Sequence, residues 1–292
     1  MVGKAEEMEF RLIDTKVKQK EIEEDFRDLF QEAFEKPISP RQWRHYYLDC
    51  PLGPTVSFVY YKDGIMTAHG GLIPQQLVSS DGKRVDYFLQ TAIMVRKKYQ
   101  TLLLFKDLLD TMGEYVVNRK SFAVAFPNHN TYLPFVKMLG WRMVREYMIE
   151  QYEVKAGVSA QSEVGAEAAA ASFTYELYRD GSFMKWRSAL NAAKTIISAG
   201  QEITYKEYEG NLEILDLNVT KDGSQVDMSG LMTRLKYDRV NIAGCFRSRV
   251  SLKNLILKGT VGIPQRMCFY PARKDQCVYE QIKPSLLISD VF

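Results

Sequence analysis

The sequence lacks the features that mark several large classes of protein. No stretch approaches the roughly 18 consecutive apolar residues of a membrane-spanning helix, and the N-terminal segment MVGKAEEMEF lacks the apolar core of a signal peptide. The four cysteines lie far apart and form no CxxC pair, which excludes a small disulfide scaffold and the usual zinc-ligand spacing. We therefore expect a cytoplasmic protein with reduced thiols and no membrane span.

Signatures of common catalytic and ligand-binding sites are also absent. The chain contains no P-loop, no GxSxG elbow, no HExxH and no GxGxxG. Histidine is scarce, with only His45, His69 and His129, so no histidine-rich metal site is expected. Evidence of function must therefore come from the order of the structural elements and from single residues.

Net charge excludes nucleic acid as an expected partner, but the charge is unevenly distributed. The chain carries 39 Lys and Arg against 36 Asp and Glu, a net charge of +3, which is no electrostatic footprint for nucleic acid. Residues 21–35 contain seven acids against one arginine, whereas residues 234–283 contain eleven basic residues against three acids. The basic C-terminal half could contact an anionic ligand or membrane headgroups, or form a solvated basic face.

At 292 residues the chain has room for two domains. Hydrophobic periodicity predicts an amphipathic helix over residues 21–35, and turn residues separate the β-prone runs that follow. The rest of the N-terminal half is predicted to contain strands at 55–61, 65–74, 76–80 and 85–95, a helix at 102–117, a strand at 121–126, a helix at 131–139 and a strand at 141–154. This order, an antiparallel run followed by β-α-β-α-β, predicts an α/β (α+β) fold.

Residues 156–172 separate two halves of the chain. They contain Ala, Gly, Ser and Glu but no aromatic residue, which indicates an interdomain linker, with a short Ala-rich helix as the alternative. We therefore expect a first domain at 1–155 and a second at 173–292. The second half repeats the first in outline, with a strand at 212–219, a helix at 225–235, a strand at 240–246 and a helix at 250–257.

One junction has the form of an anion-binding site. A strand that ends near Val95 leads through a basic loop, with Arg96, Lys97 and Lys98, into the helix that starts at Leu102. The first backbone N–H groups of a helix have no intrahelical acceptor and carry positive dipole charge, so they bind phosphate well. Basic loops of this kind also serve solubility alone, and both explanations stay open.

The order of elements over residues 21–154 resembles the GNAT superfamily of acyl-CoA-dependent acyltransferases, and its bacterial members most closely. The resemblance rests on the stretches WRHYYLDCPLGP (Trp43–Pro54), HGGLIP (His69–Pro74), TAIMVRKKYQTLLLFKDLL (Thr91–Leu109) and AFPNHNTYLPFVKMLGW (Ala125–Trp141). It implies a GNAT-like mixed sheet with flanking helices, followed by a second, degenerate GNAT-like domain. The co-substrate that it implies is acetyl-CoA or another acyl-CoA.

The resemblance also assigns residues to the co-substrate. The backbone of Ala92, Met94 and Val95 would pair with the pantetheine arm. Backbone amides of the loop would hold the pyrophosphate, at Gln100, Thr101, Leu102, Leu103 and Leu104, with Asn128 contributing from the family's Asn-bearing helix. The family has glycines in this loop where the chain has leucine or threonine, and these larger side chains crowd the approach of a phosphate to the backbone.

Two residues are candidates for proton transfer. The family's acid, a tyrosine, corresponds to Val136, so we assign the role to Tyr132, which lies one helical turn earlier on the same face. The alternative for Tyr132 is a packed aromatic residue. His69 has the neutral-range pKa of a general base, and its alternative is a hydrogen-bonded structural residue.

Four residues are candidates for contact with the acceptor. They are Arg44, Tyr46, Gln90 and Phe126. The arginine would bind an anionic group, Tyr46 would stack on a sugar or acyl group, and the glutamine would position a substrate without titrating. Core packing is the alternative for the aromatic residues around Trp43, and no metal is implied.

The sequence therefore favours transfer of an acetyl or other acyl group from acyl-CoA to an amine or hydroxyl of a small molecule, such as a sugar or cell-envelope precursor. Two alternatives remain. One is a non-catalytic acyl-CoA-binding or interaction module with a degenerate GNAT site. The other is an aminoacyl-tRNA-dependent transferase of the Fem type, which the uneven basic C-terminal half keeps open. The oligomeric state is not predicted.

Overall fold

The computed structural model describes residues 8–155, 173–191, 193–198, 200–218, 225–271, 279–283 and 285–286. The helices are α1 (Lys16–Glu21), α2 (Glu23–Phe34), α3 (Pro40–Tyr47), α4 (Leu102–Asn118), α5 (His129–Met138), α6 (Gly181–Asn191) and α7 (Met228–Leu235). The strands are β1 (Glu9–Ile13), β2 (Val56–Lys62), β3 (Ile65–Ser79), β4 (Arg84–Val95), β5 (Ala123–Ala125), β6 (Arg142–Val154), β7 (Tyr175–Leu177), β8 (Lys194–Ser198), β9 (Gln201–Tyr208), β10 (Asn211–Asn218), β11 (Val226–Asp227), β12 (Arg239–Ala243), β13 (Val250–Ser251) and β14 (Leu255–Tyr270). The predicted linker at 156–172 lies outside the described residues.

A single mixed sheet of 12 strands runs through both halves of the described chain. Its order is β1-β2-β3-β4-β5-β14-β6-β12-β10-β9-β8, and β7 pairs with β3. The late strand β14 lies between β5 and β6 and is antiparallel to both. The sheet built by the first half is therefore completed by a strand from the second, and the division into two domains at residue 155 stays a prediction.

Helices cover both faces of the first half of the sheet. On one face, Leu108 of α4 and Phe135 of α5 belong to a buried cluster with Phe58 of β2. On the other face, α2 and α3 bury Phe26 and Trp43 in a second cluster. Successive strand side chains point to opposite faces, which explains how one sheet supports two cores. No helix in the described ranges is both long and apolar enough to cross a membrane.

Each half contains a pair of parallel strands that meet only briefly. In the first half, β4 pairs with β5 through Phe88 opposite Ala123 and Leu89 opposite Val124. In the second half, β10 pairs with β12 through residues 212 and 213, opposite residues 240 and 241. A helix connects the two strands of each pair, α4 in the first and α7 in the second. Both pairs therefore diverge beyond a short contact.

Three predicted elements differ from the structure. The predicted strands at 65–74 and 76–80 are one strand, β3, because pairing with β4 continues on both sides of Pro74. The predicted helix at 250–257 is wrong. The positive φ of 66° at Asn254 turns the chain, and β14 starts at the next residue. Asparagine adopts this left-handed conformation more readily than most residues, and it interrupts a helix.

Gly113 permits close packing of α4 against β14. A Cβ atom at this position would lie 2.8 Å from the ring carbons Cε1 and Cζ of Tyr270. We expect Gly113→Ala to lower the free energy of unfolding by about 1–2 kcal/mol, because overpacking outweighs the gain in helix propensity. Gly181→Ala in α6 is the matched control, since nothing lies within 4 Å of its new Cβ. Urea denaturation measures both variants, and a Gly113→Ala protein as stable as wild type would contradict this packing.

Candidate active site

A cavity opens where β4 and β5 diverge. Its volume is about 290 Å³. It is lined by Phe34, Leu89, Gln90, Thr91, Ala92, Ile93, Ala125, Phe126, Pro127, Asn128, Thr131, Phe135 and Gln265. Beyond Leu89, the edge of β4 that faces β5 pairs with no strand of the described chain. The cavity therefore has along one wall a row of backbone groups that could accept an extended ligand as an additional strand.

A β-bulge shapes this edge of β4. The register between β3 and β4 shifts between His69 and Gly71, so that Ala92 and Ile93 lie opposite the single residue Gly70. Ala92 has a φ of 47°, which is uncommon for a residue with a Cβ. The bulge turns the carbonyl of Ala92 towards β3, where it meets the His69 ring. Backbone groups near the cavity are thus fixed by the interior of the sheet.

His69 fixes the bulge through a buried chain of hydrogen bonds. Its Nδ1 lies 2.8 Å from the Ala92 carbonyl oxygen, and its Nε2 lies 3.1 Å from the Ser57 hydroxyl. Because a carbonyl oxygen only accepts, Nδ1 carries the proton and donates it, so Nε2 accepts from Ser57. The Gln19 amide donates in turn to Ser57 over 2.9 Å. His69 is therefore a positioning residue for β4.

The placement of His69 contradicts its assignment as the general base. The side chain is fully buried and does not line the cavity. Burial lowers its pKa to about 4, although the hydrogen bond to Ala92 opposes this shift. Both ring nitrogens are already engaged, so the ring has no lone pair facing a substrate. The structural alternative for His69 is the correct one.

Gln90 is the buried polar group that faces the cavity without a partner. It is 8% exposed, and neither its Nε2 nor its Oε1 atom has a hydrogen-bond partner in the described structure. Buried amides are almost always satisfied, because an unpaired one costs about 1–3 kcal/mol. Gln90 and Phe126, two of the residues predicted to contact the acyl acceptor, both line the cavity. The Gln90 side chain has both a free hydrogen-bond donor and a free hydrogen-bond acceptor.

The start of α4 retains part of the predicted anion site. The side chain of Thr101 caps the helix, its Oγ1 accepting from the Leu104 amide over 3.1 Å. The side chain of Gln100 donates to the Val95 carbonyl over 3.1 Å. No acceptor for the backbone N–H of Leu102 or Leu103 occurs among the described residues, as expected for the first turn of a helix. Of the predicted amides, those of Leu102 and Leu103 are thus available, that of Leu104 is capped, and that of Gln100 donates to the Lys97 carbonyl over 3.4 Å.

Two cations of the loop before α4 pair with carboxylates of α2 and of Glu35, the residue that follows it. The Arg96 guanidinium pairs with Asp28 and Glu32, at 2.6 Å each. Glu32 also accepts from the Lys97 backbone amide over 2.7 Å, and the Lys97 ammonium lies 3.1 Å from Glu35. The acidic face of α2 therefore fixes the loop, and it reduces the positive charge that a diphosphate would meet.

The remaining co-substrate residues divide between the cavity and the core. Ala92 and Asn128 line the cavity. Met94 and Val95 are buried in the two core clusters, so only their backbone could contact a ligand. The Asn128 side chain caps α5, accepting from the amides of Asn130 and Thr131 over 3.0 and 3.1 Å.

Three of the predicted substrate or catalytic residues lie away from the cavity wall. Tyr46 is 3% exposed and packs in the core, so its assignment to acceptor binding is wrong. Arg44 is exposed and lies 3.4 Å from Asp49, outside the set of lining residues. Tyr132 is half-buried on α5 under the Arg266 guanidinium, 4.5 Å from its ring centroid. Its role as an acid stays a prediction.

Sequence reasoning missed Gln265 and Thr131, which both line the cavity. Gln265 comes from β14, and no local pattern indicates that this strand inserts beside β5. Thr131 lies in the first turn of a helix that was predicted, and the position of its hydroxyl gives no sequence signal. Among the residues that line the cavity, none is His, Asp, Glu, Lys, Arg, Tyr or Cys. The described chain also holds no cluster of three or more potential metal ligands.

Comparison with known proteins identifies the fold. No protein-family model matches the sequence, and neither does any curated protein sequence. A GCN5-related N-acetyltransferase from Kribbella flavida superposes with a TM-score of 0.61 at 11% identity, over 90% of this chain and 71% of its own. A GCN5-related N-acetyltransferase from Anabaena variabilis gives 0.60 at 10% identity, over 91% and 73%. A conserved protein from Enterococcus faecalis gives 0.61 at 13% identity, over 90% and 72%.

These structural similarities show that the chain has the GNAT fold, a mixed sheet with flanking helices. The GNAT-like mixed sheet with flanking helices that the resemblance implies is therefore confirmed. At identities of 10–13%, these similarities establish the fold but not the activity. Activity must be argued from the site itself.

The buried His69 makes stability depend on pH. Its pKa is lowered from 6.5 to about 4 in the folded protein, so protonation favours the unfolded chain as the pH falls from about 6.5 to 4. We expect this residue to remove about 2 kcal/mol of stability between pH 7 and pH 5. Urea denaturation of His69→Asn should show a correspondingly shallower loss, whatever its stability at pH 7.

The exposed His129 provides the control for this measurement. His129→Asn should keep the wild-type dependence of stability on pH, because its ring lies at the surface. If His69→Asn loses as much stability as wild type between pH 7 and pH 5, the ring is not the buried neutral group described above.

Proposed function

We propose that the chain transfers an acyl group from a thioester donor, acetyl-CoA or another acyl-CoA, to an amine or hydroxyl of a small-molecule acceptor. The observation that carries this proposal is the unpaired edge of β4 beside a cavity that the unsatisfied Gln90 lines. The GNAT fold supports the reaction class, since two of the matched structures are described as N-acetyltransferases.

The donor's extended arm would lie along β4. Such an arm carries amide groups that can pair with backbone N–H and C=O groups in the manner of an added strand. Along Gln90–Val95 this pairing would use backbone groups other than the carbonyls of Ala92 and Val95, which His69 and Gln100 already engage. Phe126 and Pro127 also line the cavity. Gln90 could pair with an amide of the arm or with the acceptor, because its side chain both donates and accepts.

The diphosphate of CoA fits the chain less well than the arm does. The free amides of Leu102 and Leu103 point to an anion at the start of α4. Leu103 is 78% exposed at this position, and the carboxylates of Glu32 and Glu35 lie on the adjacent loop residues. We therefore propose that most of the donor's binding energy comes from the arm.

Transfer would proceed by direct attack within a ternary complex. The acceptor nitrogen or oxygen forms a bond to the thioester carbonyl carbon, the carbon–sulfur bond breaks, and the thiolate leaves. Because no side chain that lines the cavity titrates, the acceptor enters in its neutral form and releases its proton to water. Water, or the predicted acid Tyr132, protonates the thiolate. The protein then contributes mainly by holding the two reactants in the correct orientation.

A second candidate function is a binding module that holds acyl-CoA, or a related thioester, without catalysis. The specific observation in its favour is the set of ion pairs by which α2 neutralises Arg96 and Lys97. Both functions predict binding in the β4–β5 gap. Only the first predicts release of free thiol when an acceptor amine is added to the complex with acetyl-CoA.

Gln90→Leu separates the ligand-binding role of Gln90 from a structural role. Removing an unsatisfied buried amide should raise the free energy of unfolding by about 1 kcal/mol. The same change should weaken acetyl-CoA binding by roughly tenfold, because a hydrogen bond to the ligand is lost. Thermal unfolding measures the first effect and calorimetric titration the second, and thiol release measures turnover.

Gln31→Leu on the exposed face of α2 is the matched control, and it should bind acetyl-CoA as wild type does. If Gln90→Leu and Gln31→Leu bind acetyl-CoA and turn over equally, Gln90 does not contact the ligand. If millimolar acetyl-CoA does not raise the melting temperature of the wild-type protein, both the acyltransferase and the acyl-CoA-binding module are contradicted.

A further inference from the structure

The second half repeats the short parallel contact of the first, and charged side chains gather at the end of its strand β10. The strand β10 pairs with β12 over only two residues, and a register shift follows between Ile214 and Asp216. In the first half, the bulge at Ala92 and Ile93 likewise follows a two-residue parallel contact. Where the first gap is lined by uncharged side chains, the end of β10 is surrounded by cations.

Three cations contact three successive residues of β10. The Arg179 guanidinium forms an ion pair with Asp216. Arg249 donates to the carbonyl oxygen of Leu217 over 3.5 Å. The Lys283 ammonium donates to the Asn218 side chain over 2.9 Å and lies 3.4 Å from Glu176. These cations come from three separate segments of the chain, which the fold brings to one strand end.

A fourth cation joins this group through an aromatic ring. The guanidinium carbons of Arg145 and Arg249 lie 5.6 and 5.1 Å from the ring centroid of Phe173. Arg145 also donates to the carbonyl oxygens of Glu280 and Ile282 over 2.7 and 2.6 Å. We call these four basic residues, Arg145, Arg179, Arg249 and Lys283, the cationic cluster.

The cationic cluster has more positive charge than its carboxylates balance. Asp216 is 1% exposed and Glu176 is half-exposed. The carboxylate of Glu280, also nearby, pairs with Arg142 outside the cluster. Among the described residues, four cations therefore share two carboxylates. Buried charge without a counter-charge is costly.

Two further observations describe the surroundings of these cations. Burial lowers the pKa of Lys283, of Arg249 and of Arg145, although neighbouring acidic groups oppose the shift. The Nε atom of Arg179 is buried and has no hydrogen-bond partner in the described structure, and the buried carboxylate of Asp216 has its ion pair with Arg179 but no hydrogen bond. An unsatisfied buried donor in a cationic environment is what a missing anion would leave.

We propose that the cationic cluster binds an oxyanion of the phosphate type. Guanidinium groups match the geometry of phosphate oxygens, and an ammonium adds a point charge. The side chains of Arg179 and Lys283 are each 13% exposed, so the cluster is reachable from solvent. A bound dianion would supply two negative charges, so that the four cations would be balanced by four negative charges. It would also hold together segments from both halves of the chain.

Thermal unfolding in inorganic phosphate, against chloride at equal ionic strength, tests this site. Phosphate should raise the melting temperature of wild type by roughly 5 °C at a hundred times its dissociation constant. Arg249→Gln and Lys283→Gln should lose most of this shift. Lys137→Gln, an exposed lysine on α5, is the control of equal charge and should keep it. An equal response of all four proteins, or none in wild type, would overturn the proposal.

A second measurement uses only the wild-type protein, so it tests the site even if the variants fail to fold. In wild type, phosphate should slow amide hydrogen exchange in β10 near Asp216, and unchanged exchange there would contradict the site. Two arms identify the source of the phosphate group. Inorganic phosphate alone tests the free ion, whereas a cluster that responds to CoA but not to dephospho-CoA would bind the ribose phosphate of that ligand.

Gln90→Leu distinguishes this proposal from the proposed function. It should keep the stabilisation by phosphate while losing affinity for acetyl-CoA, because the two sites are built from different strands. A protein that binds phosphate but not acetyl-CoA would retain the site at β10 and lose the acyltransferase. The opposite result would retain the acyltransferase and lose the anion site.

Discussion

The parallel contact between β4 and β5 stops after two residues, and the site depends on this interruption. Beyond it, the backbone of β4 has a free edge, and β5 turns away because its other side pairs with β14. The gap is kept open from within the sheet, where Gln19, Ser57 and His69 form a hydrogen-bonded chain that ends on the Ala92 carbonyl. Buried, fully paired polar groups of this kind fix one conformation of the backbone.

Local patterns were sufficient for most elements of the first half but not for the way they meet. Periodicity located α2 and α4, because an amphipathic face repeats within a few residues of sequence. The strand β14 could not be placed beside β5, since its partners lie more than a hundred residues earlier. His69 was ambiguous for the same reason. Its chemistry suits a base, and only the packing of α2 and β2 around it decides that its ring is buried and neutral.

The sequence predicted the parts of the candidate site that are formed by the backbone of a strand and the start of a helix. The strand that ends at Val95 and the helix that starts at Leu102 lie where the sequence indicated, and Gln90 and Phe126 line the cavity. The strongly acidic face of α2 was recognised as a charge imbalance, but its partners were not. It neutralises the basic loop before α4, so the two features that the sequence showed separately are one contact. The basic C-terminal half contributes Arg249 and Lys283 to a cationic cluster at the end of β10, a site that its composition alone did not locate.

Amide hydrogen exchange in β4 tests the central claim most directly, because it reports on the free edge itself. Peptides that cover Gln90–Val95 should exchange more slowly when acetyl-CoA is added, and those from the outer strand β1 should not change. Binding that leaves Gln90–Val95 unchanged, or that protects only the start of α4, would contradict the account, since the donor would then lie outside the gap between β4 and β5.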